Sequence, residues 1–265
     1  MPDPVFVTGA PNWMDLGTPD TDAATTFYHG LFGWDLVPGG PGTGGYGTYQ
    51  LRGRTVAGVM TVPEDQGKPA WSVYFQTPDA DATARTVEKA GGTAAFPPMD
   101  VLDHGRMGGF TDNNGAYFGV WQPRTNPGLG MILETGSLIW AELYTPDVPS
   151  AAAFFHTVFG WQTSGMNFPG GSYTLVRPAD GDDDTSSFGG LVPLDQVPGE
   201  AAAGPHWLPY IAVDDTDAVV AAAERLGGRV TAAATDVPEV GRVATFTDPA
   251  GAALAVIRPE PMSQG

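Results

Sequence analysis

Residues 12–18 alternate in character. Met14, Leu16 and Thr18 fall on one face of an extended chain, and Trp13, Asp15 and Gly17 on the other. That period of two predicts a strand. From Ala23 the period lengthens. Ala23, Phe27 and Leu31 recur four apart, behind Asp20 or Asp22 as a cap and ahead of Gly33 as a stop, which predicts a helix over 23–31. A flexible segment, 38–47, leads to short strands over 48–52 and 56–62, turned at Gly53. The order then returns. A strand over 71–77 precedes a helix over 79–90, which Gly91 and Gly92 end. Strands over 94–101, 107–111 and 116–121 follow, with 112–115 as a hairpin turn.

The whole pattern then repeats. Phe27-Tyr28-His29-Gly30-Leu31-Phe32-Gly33-Trp34 comes back as Phe154-Phe155-His156-Thr157-Val158-Phe159-Gly160-Trp161, at an offset of 154 − 27 = 127 residues. Residues 140–145 match 13–18, 173–176 match 49–52, 189–192 match 57–60, and 206–213 match 70–77. A repeat of this length marks a duplicated domain. The reading is a first domain over 1–123, a linker over 124–136 and a second domain over 137–265. Asp180–Asp184, inside an insertion of the second half, reads as part of a solvated hairpin loop.

Composition narrows the partners. The formal net charge is −18, with only 12 Lys and Arg in 265 residues, which argues against nucleic acid and anionic membranes. There is no cysteine, so thiolate metal sites and disulfides are excluded. No apolar run reaches membrane-spanning length. Residues 1–13 lack a basic stretch followed by an apolar one, so a cytoplasmic monomer or homodimer is expected.

The repeated helix signature, the start Val213-Asp214-Asp215-Thr216-Asp217-Ala218 and the turn Phe246-Thr247-Asp248-Pro249-Ala250-Gly251 resemble the vicinal oxygen chelate superfamily. That superfamily includes glyoxalase I, extradiol dioxygenases and bleomycin-resistance proteins, and the resemblance is nearest to tandem actinobacterial members. It implies an α+β fold of four βαβββ units. They would form two cup-shaped clefts of mixed sheet, with the helices outside. Which units pair is left open.

In metal-dependent members, each unit supplies one ligand from its first strand and one from its last, usually His, Gln or Glu. The matching first-strand positions here are Trp13, Ser72, Trp140 and Leu208. The last-strand positions are Gly119 and Ala255, with Gly58 or Met60 and Gly190 or Val192 in the other units. None is His or Glu, so no catalytic metal and no cofactor are expected. His29 and His156 are expected on a solvent-facing helix surface.

Aromatic residues take the place of ligands. Alternation directs Trp13, Asp15, Tyr74, Gln76, Tyr117 and Trp121 into the first cleft, and Trp140, Glu142, Tyr210 and Ile257 into the second. Tyr49 and Tyr173, matched across the repeat, join Ser72 and Leu208 as ligand-binding candidates. Aromatic walls around a few polar groups suit small flat ligands. Asp15 and Glu142 are the candidate catalytic or anchoring carboxylates, and pairing with Arg106 or Arg242 is their structural alternative. Arg106 and Arg242 recur in both halves, as do Asp100 and Asp236, which read as turn or strand-end residues. The first cleft is expected to be the more polar, and the second to be partly filled.

The reading favours a metal-free binding protein for a planar aromatic or hydrophobic metabolite, as in natural-product binding or resistance. The alternative is a metal-independent enzyme, or a hydroxylase-like accessory of aromatic metabolite biosynthesis, that uses a cleft carboxylate. Whether the protein is an enzyme stays open. A glyoxalase- or dioxygenase-type metalloenzyme, and an interaction protein with relic clefts, rank below both.

Overall fold

The computed structural model describes residues 4–168, 171–181, 186–196 and 203–260. The first half runs β1 (Pro11–Thr18), α1 (Thr21–Phe32), β2 (Asp35–Pro38), β3 (Gly47–Leu51), β4 (Arg54–Thr61), β5 (Ala70–Gln76), α2 (Ala80–Lys89), β6 (Thr93–Val101), β7 (Gly105–Thr111) and β8 (Tyr117–Pro123). The second half repeats the order: β9 (Leu138–Thr145), α3 (Val148–Phe159), β10 (Gln162–Phe168), β11 (Gly171–Arg177), β12 (Gly189–Pro193), β13 (His206–Ala212), α4 (Thr216–Arg225), β14 (Arg229–Val237), β15 (Gly241–Thr247) and β16 (Ala253–Pro259). The fold is α+β: four βαβββ units form two mixed eight-stranded sheets. Among the described residues, no helix is long and apolar enough to cross a membrane.

Each helix starts where an aspartate satisfies free backbone N–H groups. Asp20, Asp79, Asp147 and Asp215 all accept from their helix's first turn. Helices α1 and α3 end at Gly33 and Gly160, whose φ values of 71° and 74° lie in the left-handed region that glycine tolerates. The buried stripe of α1 is Ala24, Phe27 and Tyr28, not the expected row through Ala23 and Leu31. The expected flexible segment over 38–47 begins in β2, which pairs with β3.

The sheets close within halves. The first is ordered β2-β3-β4-β1-β5-β8-β7-β6 and the second β10-β11-β12-β9-β13-β16-β15-β14. The helices pack the other way: α1 lies against α4, and α2 against α3. One core therefore joins Phe27, Tyr28 and Trp34 to Phe246 and Val256. The other joins Phe75 and Phe118 to Phe155 and Trp161. Burying one such side chain contributes about 1.5–3 kcal/mol. The halves thus share their outer cores, and each keeps its inner sheet face as a cup.

Candidate functional site

The two cups carry the same polar chain. In β1, Trp13 and Asp15 face inward, and Asp15 sits in register with Gly58 on β4 and Ser72 on β5. The Trp13 indole donates to the Tyr46 hydroxyl at 2.8 Å, and that hydroxyl donates to Asp15 Oδ2 at 3.1 Å. In β9, the Trp140 indole donates to the Tyr173 hydroxyl at 2.8 Å, which donates to Glu142 Oε1 at 2.7 Å. Glycine makes this possible. A Cβ at Gly58 would strike the Tyr46 hydroxyl, and one at Gly190 the Tyr173 hydroxyl.

The carboxylates differ in their surroundings. Glu142 is half-buried and also accepts from Tyr210 at 2.6 Å and from Tyr144 at 2.9 Å, both on Oε2. Burial, and then the nearby Glu142 charge, push the Tyr173 and Tyr210 phenols well above their ordinary range. These phenols therefore stay protonated and donate. Of the roughly four lone-pair sites on a carboxylate, one stays free for a ligand donor.

Asp15 is only 5% exposed. Burial raises its pKa to about 6, against the opposing hydrogen bonds of Tyr46 and Tyr74. Such a group exchanges a proton near neutral pH. Trp13, Tyr74 and Trp121 are buried around it, and Trp13 lies against Trp121 with ring centroids 6.4 Å apart. Burial, and then the nearby Asp15 charge, raise the Tyr117 pKa to about 12. The two cups also differ in how far they bury their carboxylate. The first cup buries its carboxylate, and the second leaves Trp140, Glu142 and Tyr173 half-exposed. Leu208, Tyr210, Ala255 and Ile257 close the second cup's floor as a small apolar cluster.

Several expected roles change. Tyr49 is not a cup residue; it is fully buried in the outer core beside Tyr28 and Trp34. Tyr46 takes its place. A slip of three residues along a strand exchanges faces, and Tyr46, not Tyr49, stands at the 127-residue offset from Tyr173 that Trp13 and Asp15 keep from Trp140 and Glu142. That constant offset was the signal for it. Tyr144 was also missed, although alternation from Trp140 and Glu142 points to it. Gln76 holds the N-terminal segment, donating to the Phe6 carbonyl at 2.8 Å. Ser72 is half-buried beside Asp15.

Arg106 and Arg242 do not serve the cup carboxylates. Arg106 bridges Asp81 and Asp100, and Arg242 bridges Asp217 and Asp236. Asp100 and Asp236 stand at the ends of β6 and β14, as strand-end residues, and are also ion-pair partners. Asp180 is exposed, as a solvated loop requires, and borders a cavity between the halves; Asp182–Asp184 lie outside the described residues.

In metal-dependent members of the superfamily that the sequence resembles, a cleft holds an ion. The donors here do not fit one. Trp13, Leu208, Gly119 and Ala255 carry no ligand atom, and each cup offers one carboxylate among phenols. The phenols that burial and the nearby carboxylate hold well above their ordinary range, Tyr46 and Tyr74 beside Asp15 and Tyr173 and Tyr210 beside Glu142, stay neutral. Among the described residues, no three His, Cys, Asp or Glu side chains converge. Protein sites for such ions use three or four donors.

The model of the Glyoxalase/Bleomycin resistance protein/Dioxygenase superfamily matches residues 10–120 and 137–256. The chain is 39% identical to "Putative glyoxylase CFP32" of Mycobacterium tuberculosis over 96% of each chain. It is 38% identical to "Anthracycline biosynthesis protein DauV" of Streptomyces sp. (strain C5), over 95% of this chain and 94% of that one. Among solved structures, a Mn(II)-bound glyoxalase from Novosphingobium aromaticivorans aligns at a TM-score of 0.63 and 16% identity, covering 95% of this chain and 83% of that one. The 2,3-dioxygenase LapB from Pseudomonas sp. KL28 aligns at 0.63 and 13%, covering 97% and 96%. At these identities the structural matches speak for the fold alone.

Proposed function

The chain belongs to the glyoxalase/bleomycin resistance protein/dioxygenase superfamily, and within it we propose a metal-free small-molecule-binding protein. Its second cup takes a planar aromatic metabolite that bears a hydroxyl or amino donor. The observation that carries this is Glu142, half-exposed, framed by three tyrosine hydroxyls and flanked by the Trp140 indole. The ring stacks on aromatic walls, and the donor takes the carboxylate's free lone pair. The relative named for anthracycline biosynthesis supports the ligand class, since anthracyclines are flat polycyclic phenols.

The test is tryptophan quenching by 1,4-dihydroxyanthraquinone, using protein dialysed against a chelator. Saturable binding is expected, weakened roughly tenfold or more, about 1.4 kcal/mol, in Glu142→Gln. Binding that returns only with one tightly held transition ion per half overturns the reading.

A second reading rests on Asp15. Its pKa of about 6 inside the first cup suits a general acid or base in a metal-independent isomerisation or ring closure. Turnover lost in Asp15→Asn with affinity retained would favour it.

A further inference from the structure

The halves differ where each sheet's first strand begins. In the first half, the connection between the halves folds over that end. The Leu129 N–H donates to the Asn12 carbonyl at 2.9 Å, and the Gly130 N–H to the Thr55 carbonyl at 2.8 Å. Leu129 and Met131 are buried there. The registers Asp15–Gly58 and Glu142–Gly190 make Ile139 the counterpart of Asn12, and Ser187 the counterpart of Thr55. At this end of the second half lies a cavity of about 330 Å³, bordered by Phe6, Leu133, Ile139, Trp140, Ser187 and Phe188.

Its chemistry is specific. The rim is apolar and open: Val5 is 90% exposed and Leu133 66%, and both border the cavity. Exposed aliphatic residues grouped around a cavity mark a binding surface more often than scattered ones do. Leu133 holds a φ of 60°, a backbone state that is uncommon for a bulky residue and is often found at ligand clamps. Inside, the Ser187 hydroxyl oxygen is buried with no hydrogen-bond partner, which is costly unless something meets it. Asp180 on the wall disfavours an anion.

Trp140 gives the cavity an aromatic wall. In the first half Trp121 covers the equivalent Trp13 and is itself held by the Asn126 carbonyl at 3.0 Å. The registers place Ile257 where Trp121 would stand in the second half. Trp140 has no such indole beside it, and it borders the cavity instead.

We propose that this cavity is a second ligand site, sharing only the Trp140 indole with the cup, for an uncharged cyclic apolar molecule with one hydroxyl or carbonyl. The ring lies against Trp140 in the volume that Leu129 and Met131 fill in the other half. A turn of the Ser187 side chain brings its buried hydroxyl to the ligand's oxygen, and that hydroxyl both donates and accepts. The site stands whether or not the cup binds an aromatic metabolite.

Equilibrium dialysis of the full chain with camphor, a cyclic ketone that is not planar and has no donor for Glu142, tests it. Saturable binding is expected, weakened roughly tenfold or more in Ser187→Leu and in Ala10→Leu, since both residues line the cavity and the larger side chains reduce its volume. Glu142→Gln is expected to leave the affinity within about twofold, so failure of the cup reading is seen separately. Three results overturn the proposal: no saturable binding, unchanged affinity in both filled variants, or loss of binding in Glu142→Gln. A crystal structure with this chain's own ends in the cavity does the same.

Discussion

The Tyr28 hydroxyl donates to Asp248 Oδ2 at 3.1 Å, tying the first half to the second. The Tyr28 hydroxyl oxygen in turn accepts from the Trp71 indole at 2.9 Å. In the repeated packing, Phe155 stands where Tyr28 stands, and both outer groups lose their partner. Among the described residues, Trp207 Nε1 and Asp112 Oδ2 are buried without hydrogen bonds. The ring geometry is preserved: Tyr28 meets Trp71 edge-on at 5.2 Å, and Phe155 meets Trp207 edge-on at 5.8 Å.

Phe155→Tyr is therefore expected to stabilise the protein. One hydroxyl would satisfy two buried groups, each costing about 1–3 kcal/mol when unmet, less whatever the added oxygen displaces. Tyr28→Phe is expected to destabilise by a similar amount. Urea unfolding of both variants decides the matter, and a destabilised Phe155→Tyr would mean that the oxygen has no room.

Asp15 makes stability depend on pH. Its folded pKa is about 6, against about 3.9 in an unfolded chain. Between these values the folded state holds the proton that the unfolded state has lost. Its contribution is thus fully present below about pH 4 and is lost as pH rises through about 6. The loss is on the order of 3 kcal/mol. Asp15→Asn removes this term, so the stability difference between wild type and variant should change over that window. Denaturant unfolding from pH 4 to 7.5 measures it, and a constant difference would refute the buried-proton account.

Gly190→Ala and Gly58→Ala should both break the chain from indole to phenol to carboxylate, because the new methyl occupies the hydroxyl's place. Each is expected to cost about 1–3 kcal/mol, as overpacking does. Gly190→Ala should also abolish the binding assigned to Glu142. Thermal melts and the quenching titration read the two effects separately.

Trp13→Ala and Trp140→Ala should differ sharply. Trp13 is buried beside Trp121, and its truncation is expected to cost about 3–5 kcal/mol. Trp140 is half-exposed, and its loss should cost less in stability and more in ligand quenching. Equal unfolding midpoints would contradict the difference in burial.

Much of this protein is legible in its sequence because the signals are local. A period of two marks β1 and β9, aspartates mark every helix start, and a left-handed glycine marks the ends of α1 and α3. The repeat carries these signals through both halves. It also places Asp15 and Glu142 on the cup faces, two residues after Trp13 and Trp140. What only tertiary structure decided depends on pairing between distant segments. The register of β3 on β4 is set by hydrogen bonds to a neighbouring strand, and it turned Tyr49 outward and brought Tyr46 to Asp15. The packing of α1 on α4, rather than α1 on α2, follows from surface complementarity across some two hundred residues. The burial of Asp15 and the exposure of Glu142 are properties of the assembled walls. In the chain itself the two carboxylates sit in matching places, and only the walls around them set them apart.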